Sequence, residues 1–399
     1  MTDQWTMMPI GDLATVFDGP HATPAKTEAG PWFLSISSLK EGRLDLAESA
    51  HLDEADFAKW TRRVTPEGGD LLFSYETRLG AAALMPSGVR ACLGRRMGLL
   101  RPNRERVDER FLLYAYLGPE FQREIAARAV RGATVDRIPI AEIAGWPLRV
   151  PPLYEQKAIA EVLGALDDKI AVNRRIAETA LALAKTQMEA VEHAEPICVS
   201  DVADVFDGPH ATPKKTTEGP WFLSISSLKG GVLDLAESAH FTEEDFPHWT
   251  RRVQPSRGDV LFSYETRLGE AALMPPEIRA SLGRRMGLLR PKPGAVRSVL
   301  LLHAYLSPPF QEEIRRRTVH GATVDRIPLK EMPTWPIALP AAGVRDQLSD
   351  ALEALHASVE QVAVENDTLA NLRDALLPKL VTGKIRIKDV MCVVEEVAS

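Results

Sequence analysis

Two kinds of hydrophobic pattern alternate along the chain. In two stretches apolar residues recur at steps of four and three. The first runs through Ile159, Leu163, Leu166 and Ile170, continued by Ala177, Ala180 and Ala184; the second runs through Leu348, Leu352, Leu355, Val359, Val362 and Leu369. This heptad spacing predicts long amphipathic helices over Glu155–His193 and Arg345–Lys379. At 1.5 Å per residue each would be ~50–60 Å long, well beyond the usual three or four turns. A stripe of that length needs a partner. The matching seams predict that the two helices pair antiparallel, with the polar Asn366 on the seam to fix register. Elsewhere the pattern is short and mixed. Trp32–Leu39, Asp70–Tyr75 and Arg95–Leu100 read as strands bounded by Gly and Pro, and Phe111–Ala129 reads as a helix.

The mixed regions are two copies of one segment. VFDGPHATP occurs at Val16–Pro24 and Val205–Pro213, PWFLSISSLK at Pro31–Lys40 and Pro220–Lys229, LFSYETRLG at Leu72–Gly80 and Leu261–Gly269, and GATVDRIP at Gly132–Pro139 and Gly321–Pro328. The offset is always 189 residues, and 91 of 133 positions are identical between residues 17–149 and 206–338. Two copies at so long a period are whole domains and not a solenoid. The predicted order is therefore a domain over residues 1–152, a helix over 153–195, a second domain over 196–340, a second helix over 341–382, and a tail over 383–399. The fold class is α+β.

Composition narrows the class. The chain has 399 residues, 45% hydrophobic and 26% charged, as in an ordinary globular protein. No apolar run approaches a membrane span, and the start Met1-Thr2-Asp3-Gln4-Trp5 lacks the form of a signal peptide. The three cysteines, Cys92, Cys198 and Cys392, share no CxxC spacing. A cytoplasmic protein without disulfides or membrane contact is expected. The net charge of −7 argues against nucleic-acid binding until its distribution is examined. Residues 154–195 carry −3 and residues 345–380 carry −4, whereas residues 59–101 carry +5 and residues 248–290 carry +4. Acidic helices thus mask two basic domains, and local basic patches govern phosphate binding.

Catalytic motifs are missing. There is no GxxxxGK[ST], GxSxG, HExxH or GxGxxG after a strand, and no Asn-Pro-Pro-Tyr motif of an adenine methyltransferase. His21 and His210 have no second ligand at metal spacing, so no metal is expected. Asp70 with Glu76, and Asp259 with Glu265, weakly resemble a nuclease carboxylate pair, which leaves a metal-dependent single-chain endonuclease as the alternative function; a turn into a strand explains Gly69-Asp70 as well. The arginines are more informative. Arg62, Arg63, Arg78, Arg95 and Arg96 recur as Arg251, Arg252, Arg267, Arg284 and Arg285. Forked guanidinium donors suit phosphate oxygens and the O6/N7 edge of guanine. Ser74, Tyr75 and Thr134, repeated as Ser263, Tyr264 and Thr323, offer hydroxyls for phosphates. Lys26, Lys215, Arg131, Arg137 and Arg326 complete the candidate DNA-binding set. The tryptophans read as core, with Trp60, beside Thr61-Arg62-Arg63, the one with a contact role to consider.

Several segments resemble one family. Pro151-Pro152-Leu153-Tyr154-Glu155-Gln156 with Ile159 is similar to the PPL-x-EQ-x-x-I opening of the long helices in specificity subunits of type I restriction-modification systems. Leu372–Ile385 resembles that family's second such region, and Asp18-Gly19-Pro20-His21 and Gly69–Ser74 resemble segments of its target-recognition domains. Pro340–Val344 departs from the pattern, lacking Pro-Pro-Leu and Glu-Gln; a partner's contacts there are expected to be weaker or asymmetric. The resemblance implies a non-catalytic subunit with two target-recognition domains, each reading half of a bipartite site on double-stranded DNA, separated by an antiparallel coiled coil. It implies two methyltransferase subunits as partners, which restriction subunits can join. This chain itself would hold no cofactor, S-adenosylmethionine belonging to the methyltransferase. Because the candidate DNA-facing segments are identical in the two copies, the expected target is an interrupted palindrome, with Arg131 opposite His320 as the main place for divergence.

Overall fold

The computed structural model describes residues 5–40, 42–132, 135–321 and 324–387. The chain divides into two units: the first contains the residues up to 171 and those from 366 on, the second residues 172–365.

In the first unit a four-stranded antiparallel sheet runs in the order β2 (Ala14–Asp18), β7 (Met97–Pro102), β4 (Leu71–Ser74), β5 (Ala82–Leu84), while β1 (Thr6–Pro9) pairs separately with β8 (Pro147–Val150). A small second sheet pairs β3 (Thr27–Phe33) in parallel with β6 (Ala91–Cys92) and antiparallel with Ala50–His51. Strand β4 is buried at every residue. Side chains alternate between the faces of a strand. Leu71, Phe73 and the following Tyr75 enter one core with Leu100; Leu72 enters another with Leu99 and Met97. One strand thus serves two cores, which is why its sequence shows no polar face.

Two sequence expectations are corrected here. The run Trp32–Leu39 is not one strand: β3 ends at Phe33, and the Ser35 side chain accepts the Ser37 N–H and opens a 3-10 turn over Ile36–Ser38. Phe111–Ala129 is not one helix: α1 (Glu109–Leu117) stops at Gly118, and Pro119 begins α2 (Pro119–Arg128). Proline cannot donate the bond that would extend α1 but fits the first turn of a new helix. Helix α1 packs across β4 and β5.

The predicted long helices are α3 (Leu153–Ala190) and α6 (Arg345–Leu380). Each unit contains half of both. In the first unit Ile159, Ala160 and Leu163 share a core with Leu376, Leu377, Leu380 and Val381, and Arg373 reaches Asp167 at 2.9 Å. Rising numbers on α3 meet falling numbers on α6, so the pairing is antiparallel. In the second unit Ala184 and Met188 pack with Leu348 and Leu352, and the buried Asn173 donates to Glu365 at 2.8 Å.

The second unit repeats the first: β9 (Ala203–Asp207), β10 (Thr216–Phe222), β11 (Val260–Ser263), β12 (Ala271–Leu273), β13 (Met286–Pro291), α4 (Ser298–Leu306) and α5 (Pro308–Arg317), with sheet order β9-β13-β11-β12. The copies differ where domain meets helix. Tyr114 on α1 donates to Asp167 at 2.7 Å, whereas the equivalent His303 on α4 faces the equivalent His356 with their Nε2 atoms 3.0 Å apart. Gln156 ties α3 to the Arg106 and Pro151 carbonyls and to the Asp108 N–H; its counterpart Arg345 reaches only the Pro340 carbonyl among the contacts described.

Candidate nucleic-acid interface

Antiparallel register brings three loops to one end of the sheet. Gly98 pairs with Asp18, and Met97 with Ser74. The end of β2, the end of β4 and the start of β7 therefore coincide. From them emerge the turn-rich loop from Asp18 to Pro24, the loop from Tyr75 to Gly80, and Gly94-Arg95-Arg96. A fourth segment joins this edge: Val130 and Arg137 bridge each other, Arg137 bridges Glu76, and the Ile138 N–H donates to the Tyr75 carbonyl at 2.8 Å. The equivalent bridges, Val319 with Arg326 and Arg326 with Glu265, recur in the second unit.

The loops are held tightly. Gly94 passes so close to Leu34 that a Cβ would lie 1.9 Å from its carbonyl oxygen, so only glycine fits. Thr77 and Arg96 stand at φ +65° and +69°, and Thr266 and Arg285 at +69° and +71°. A branched residue such as threonine is rarely found there, and its recurrence in both copies marks a constrained path.

Asp18 is the hub of the patch. Its Oδ2 lies 2.9 Å from His21 Nε2 and 3.0 Å from the Arg63 guanidinium, which also donates to the Gly19 carbonyl at 2.8 Å. The Tyr75 hydroxyl sits 3.3 Å from His21 Nδ1. A neutral imidazole protonated on Nε2 satisfies both neighbours. Burial, reinforced by the Asp18 charge, pushes the Tyr75 phenol up to about 12, which keeps it protonated and able to donate. Asp207, His210 and Arg252 repeat the cluster. Arg96 is ion-paired with Glu76 at 2.7 Å, and Arg285 with Glu265 at 2.9 Å. Arg78 folds back onto the carbonyls of Ile36 and Ser37 at 3.2 and 3.3 Å. Lys26 and Arg95 line one shallow groove, whose floor includes Ile36.

Most of the predicted basic residues are thus brought together. Arg62, Arg63, Arg78, Arg95, Arg131 and Arg137 are exposed around this edge, as are Arg251, Arg252, Arg284 and Arg326 in the second unit, with Arg267 half-buried; Lys215 is exposed too. Thr134 and Thr323 lie outside the described residues. Four assignments change. Ser74 and Ser263 are fully buried and donate to the carbonyls of Glu76 and Glu265 at 2.6 and 2.7 Å; their hydroxyls shape the turn and face no solvent. Tyr75 and Tyr264 are buried at the ring, so they support the loops from beneath. Sequence reading left Asp18 out of the candidate set. The recurrence of Asp18 inside an identical loop was the available signal; that it anchors an arginine 45 residues away was not legible.

The carboxylates proposed for nuclease chemistry are separated. Asp70 and Glu76 flank opposite ends of β4, six residues or about 20 Å apart in an extended strand. Asp70 is bound by Arg101 at 2.8 Å and Glu76 by Arg96. Among the described residues no group of three or more histidine, cysteine or acidic side chains is placed to hold a metal, and no helix is long and apolar enough to cross a membrane.

Each unit thus carries a sheet domain that presents an arginine-rich loop edge and packs on halves of the two long helices. Residues 2–181 match the family of the type I restriction modification DNA specificity domain. Over 97% of its length the chain is 21% identical to the type I restriction enzyme MjaX specificity subunit of Methanocaldococcus jannaschii, covering 95% of that relative. It is 20% identical, again over 97% of its length and 94% of the relative, to the MjaVIII specificity subunit of the same organism. In fold it is similar to the S subunit of the type I system of M. genitalium, with a TM-score of 0.55 and 16% identity, covering 95% of this chain and 96% of that one.

Proposed function

We propose that each unit reads one half of a bipartite site on double-stranded DNA through the loop edge at Asp18, Tyr75–Gly80, Gly94–Arg96, Val130 and Arg137, and its copy. One observation carries this: the same arginines, on the same strained loops, recur at the same strand ends in both units. Guanidinium groups fixed at one end, as Arg63 is on Asp18 and Arg78 on the Ile36 and Ser37 carbonyls, still have donors left for base edges and phosphates. Identical groups read alike, so the half-sites are closely similar; a two-fold relation between the units would make them inverted. The chain supplies no catalytic step. The acidic outer faces of α3 and α6 and the tail dock two methyltransferase subunits, which hold S-adenosylmethionine, and restriction subunits join that complex.

Labelled duplex titrated with the purified chain at rising salt tests the DNA half of this reading. Affinity should fall along a log–log line with a slope near −0.9 per phosphate contacted. Salt-independent or undetectable binding would refute it. Methyl transfer by the isolated chain would refute the division of labour.

A further inference from the structure

Beside its arginine pair each unit carries a cavity; every residue that lines the second has its counterpart in the lining of the first, and these counterparts differ in type at one position. In the first unit about 390 Å³ is bounded by the Asp18–Ala22 loop, Trp60, Arg62 and Arg63, with Lys59 beside them. In the second about 200 Å³ lies between Pro209–Ala211, Trp249, Arg251 and Arg252, with His248 in place of the lysine. Both variable side chains rest on the neighbouring tryptophan: Lys59 Nζ is 5.9 Å from the Trp60 ring centre, and His248 meets Trp249 edge-on at 5.3 Å. The preceding residue changes with them, Ala58 against Pro247. The arginine of each pair that faces the loop is clamped by Asp18 or Asp207, so the cavity wall is set and the substitution stands alone within it. Another exposed difference, Arg131 against His320, sits on the bridged segment outside both cavities, and His320 is engaged by Asp325 at 3.1 Å.

We infer that Lys59 and His248 make the two half-sites differ at one base; the inference rests on the DNA-reading role proposed above. An ammonium only donates, so Lys59 requires an acceptor edge, such as O6 and N7 of guanine or O4 of thymine. A neutral imidazole carries one donor and one acceptor, so His248 also takes a base that presents an exocyclic amino group. The target is an inverted repeat broken at one position. A keto base stands there in the half read by the first unit, and that requirement is absent in the other.

Selection of bound duplexes from a randomised pool tests this with the full chain in three forms: wild type, Ala58→Pro with Lys59→His, and the reverse exchange Pro247→Ala with His248→Lys. The wild type should select two inverted halves that differ at one position. Each exchange should render the halves identical, one to the second unit's base and the other to the first's, with about a tenfold change in preference at that position. Identical halves in the wild type would overturn the inference. So would a differing position that both exchanges leave unchanged while their melting matches wild type. A wild-type pool with no enriched sequence would instead remove the DNA-reading role, and the inference with it.

Discussion

Between Ser74 and Arg78 neighbouring side chains have opposite duties. Ser74 faces inward and closes the turn on Glu76, whereas Arg78 faces outward, braced on two carbonyls. Ser74→Ala should therefore lower stability by about 1 kcal/mol, the worth of one buried hydrogen bond, and leave the selected DNA sequence unchanged; chemical denaturation alongside pool selection would show this. A second contrast lies three residues past the arginine. In the second unit Glu270 holds Arg267 at 3.3 Å, while the first unit has Ala81 at that place. Ala81→Glu should draw the Arg78 guanidinium toward protein and weaken binding several-fold, most at low salt, in a competition assay. Residue types in a sequence announce such chemistry without its direction. A serine beside a tyrosine and an arginine reads as a cluster of hydroxyls and charge, and only the path of the loop that follows β4 decides which of them meets solvent.

The elements were legible in proportion to the length of their periodic signal. The heptads of α3 and α6 run for ten turns and fix both helices to within a few residues of their ends. Short runs misled: nothing in WFLSISSL separates a strand from a strand followed by a capped turn, because the deciding contact is one serine oxygen on one N–H. The junction between domain and helix shows the same limit. Tyr114 with Asp167, and His303 with His356, lie 53 residues apart in the chain, so neither pair is visible until the helices dock. The histidine pair has a consequence for pH. Burial, with a lesser push from the charge of His356, brings His303 down to about 4, and burial lowers His356 as well. The unfolded chain then binds protons that the folded one refuses. Stability from this junction is complete above about pH 6.5, declines as pH falls below that, and is lost on approaching pH 4. The loss should be of the order of 3 kcal/mol. Hydrogen exchange of α4 between pH 4 and 7 would record it. His303→Tyr with His356→Asp, which installs the first unit's pair, should flatten the profile over the upper part of that range.

For the molecule as a whole, duplication means that one surface is used twice. Arg78→Ala and Arg267→Ala should each cost about 1–3 kcal/mol of binding and relax one position, but in opposite halves of the target. Pool selection with each variant checks this; loss of specificity in the same half from both would contradict the assignment of one unit to one half. The strand register adds a practical corollary for redesign. Because the candidate interface loops all leave from coincident strand ends, they can be exchanged as a set between related proteins while both cores and the helices stay untouched. Gly94, Thr77 and Arg96, whose backbones fix the path of those loops, must travel with the graft. Lys59 and Ala81, set in ordinary backbone, are the positions to randomise first in a search for new targets.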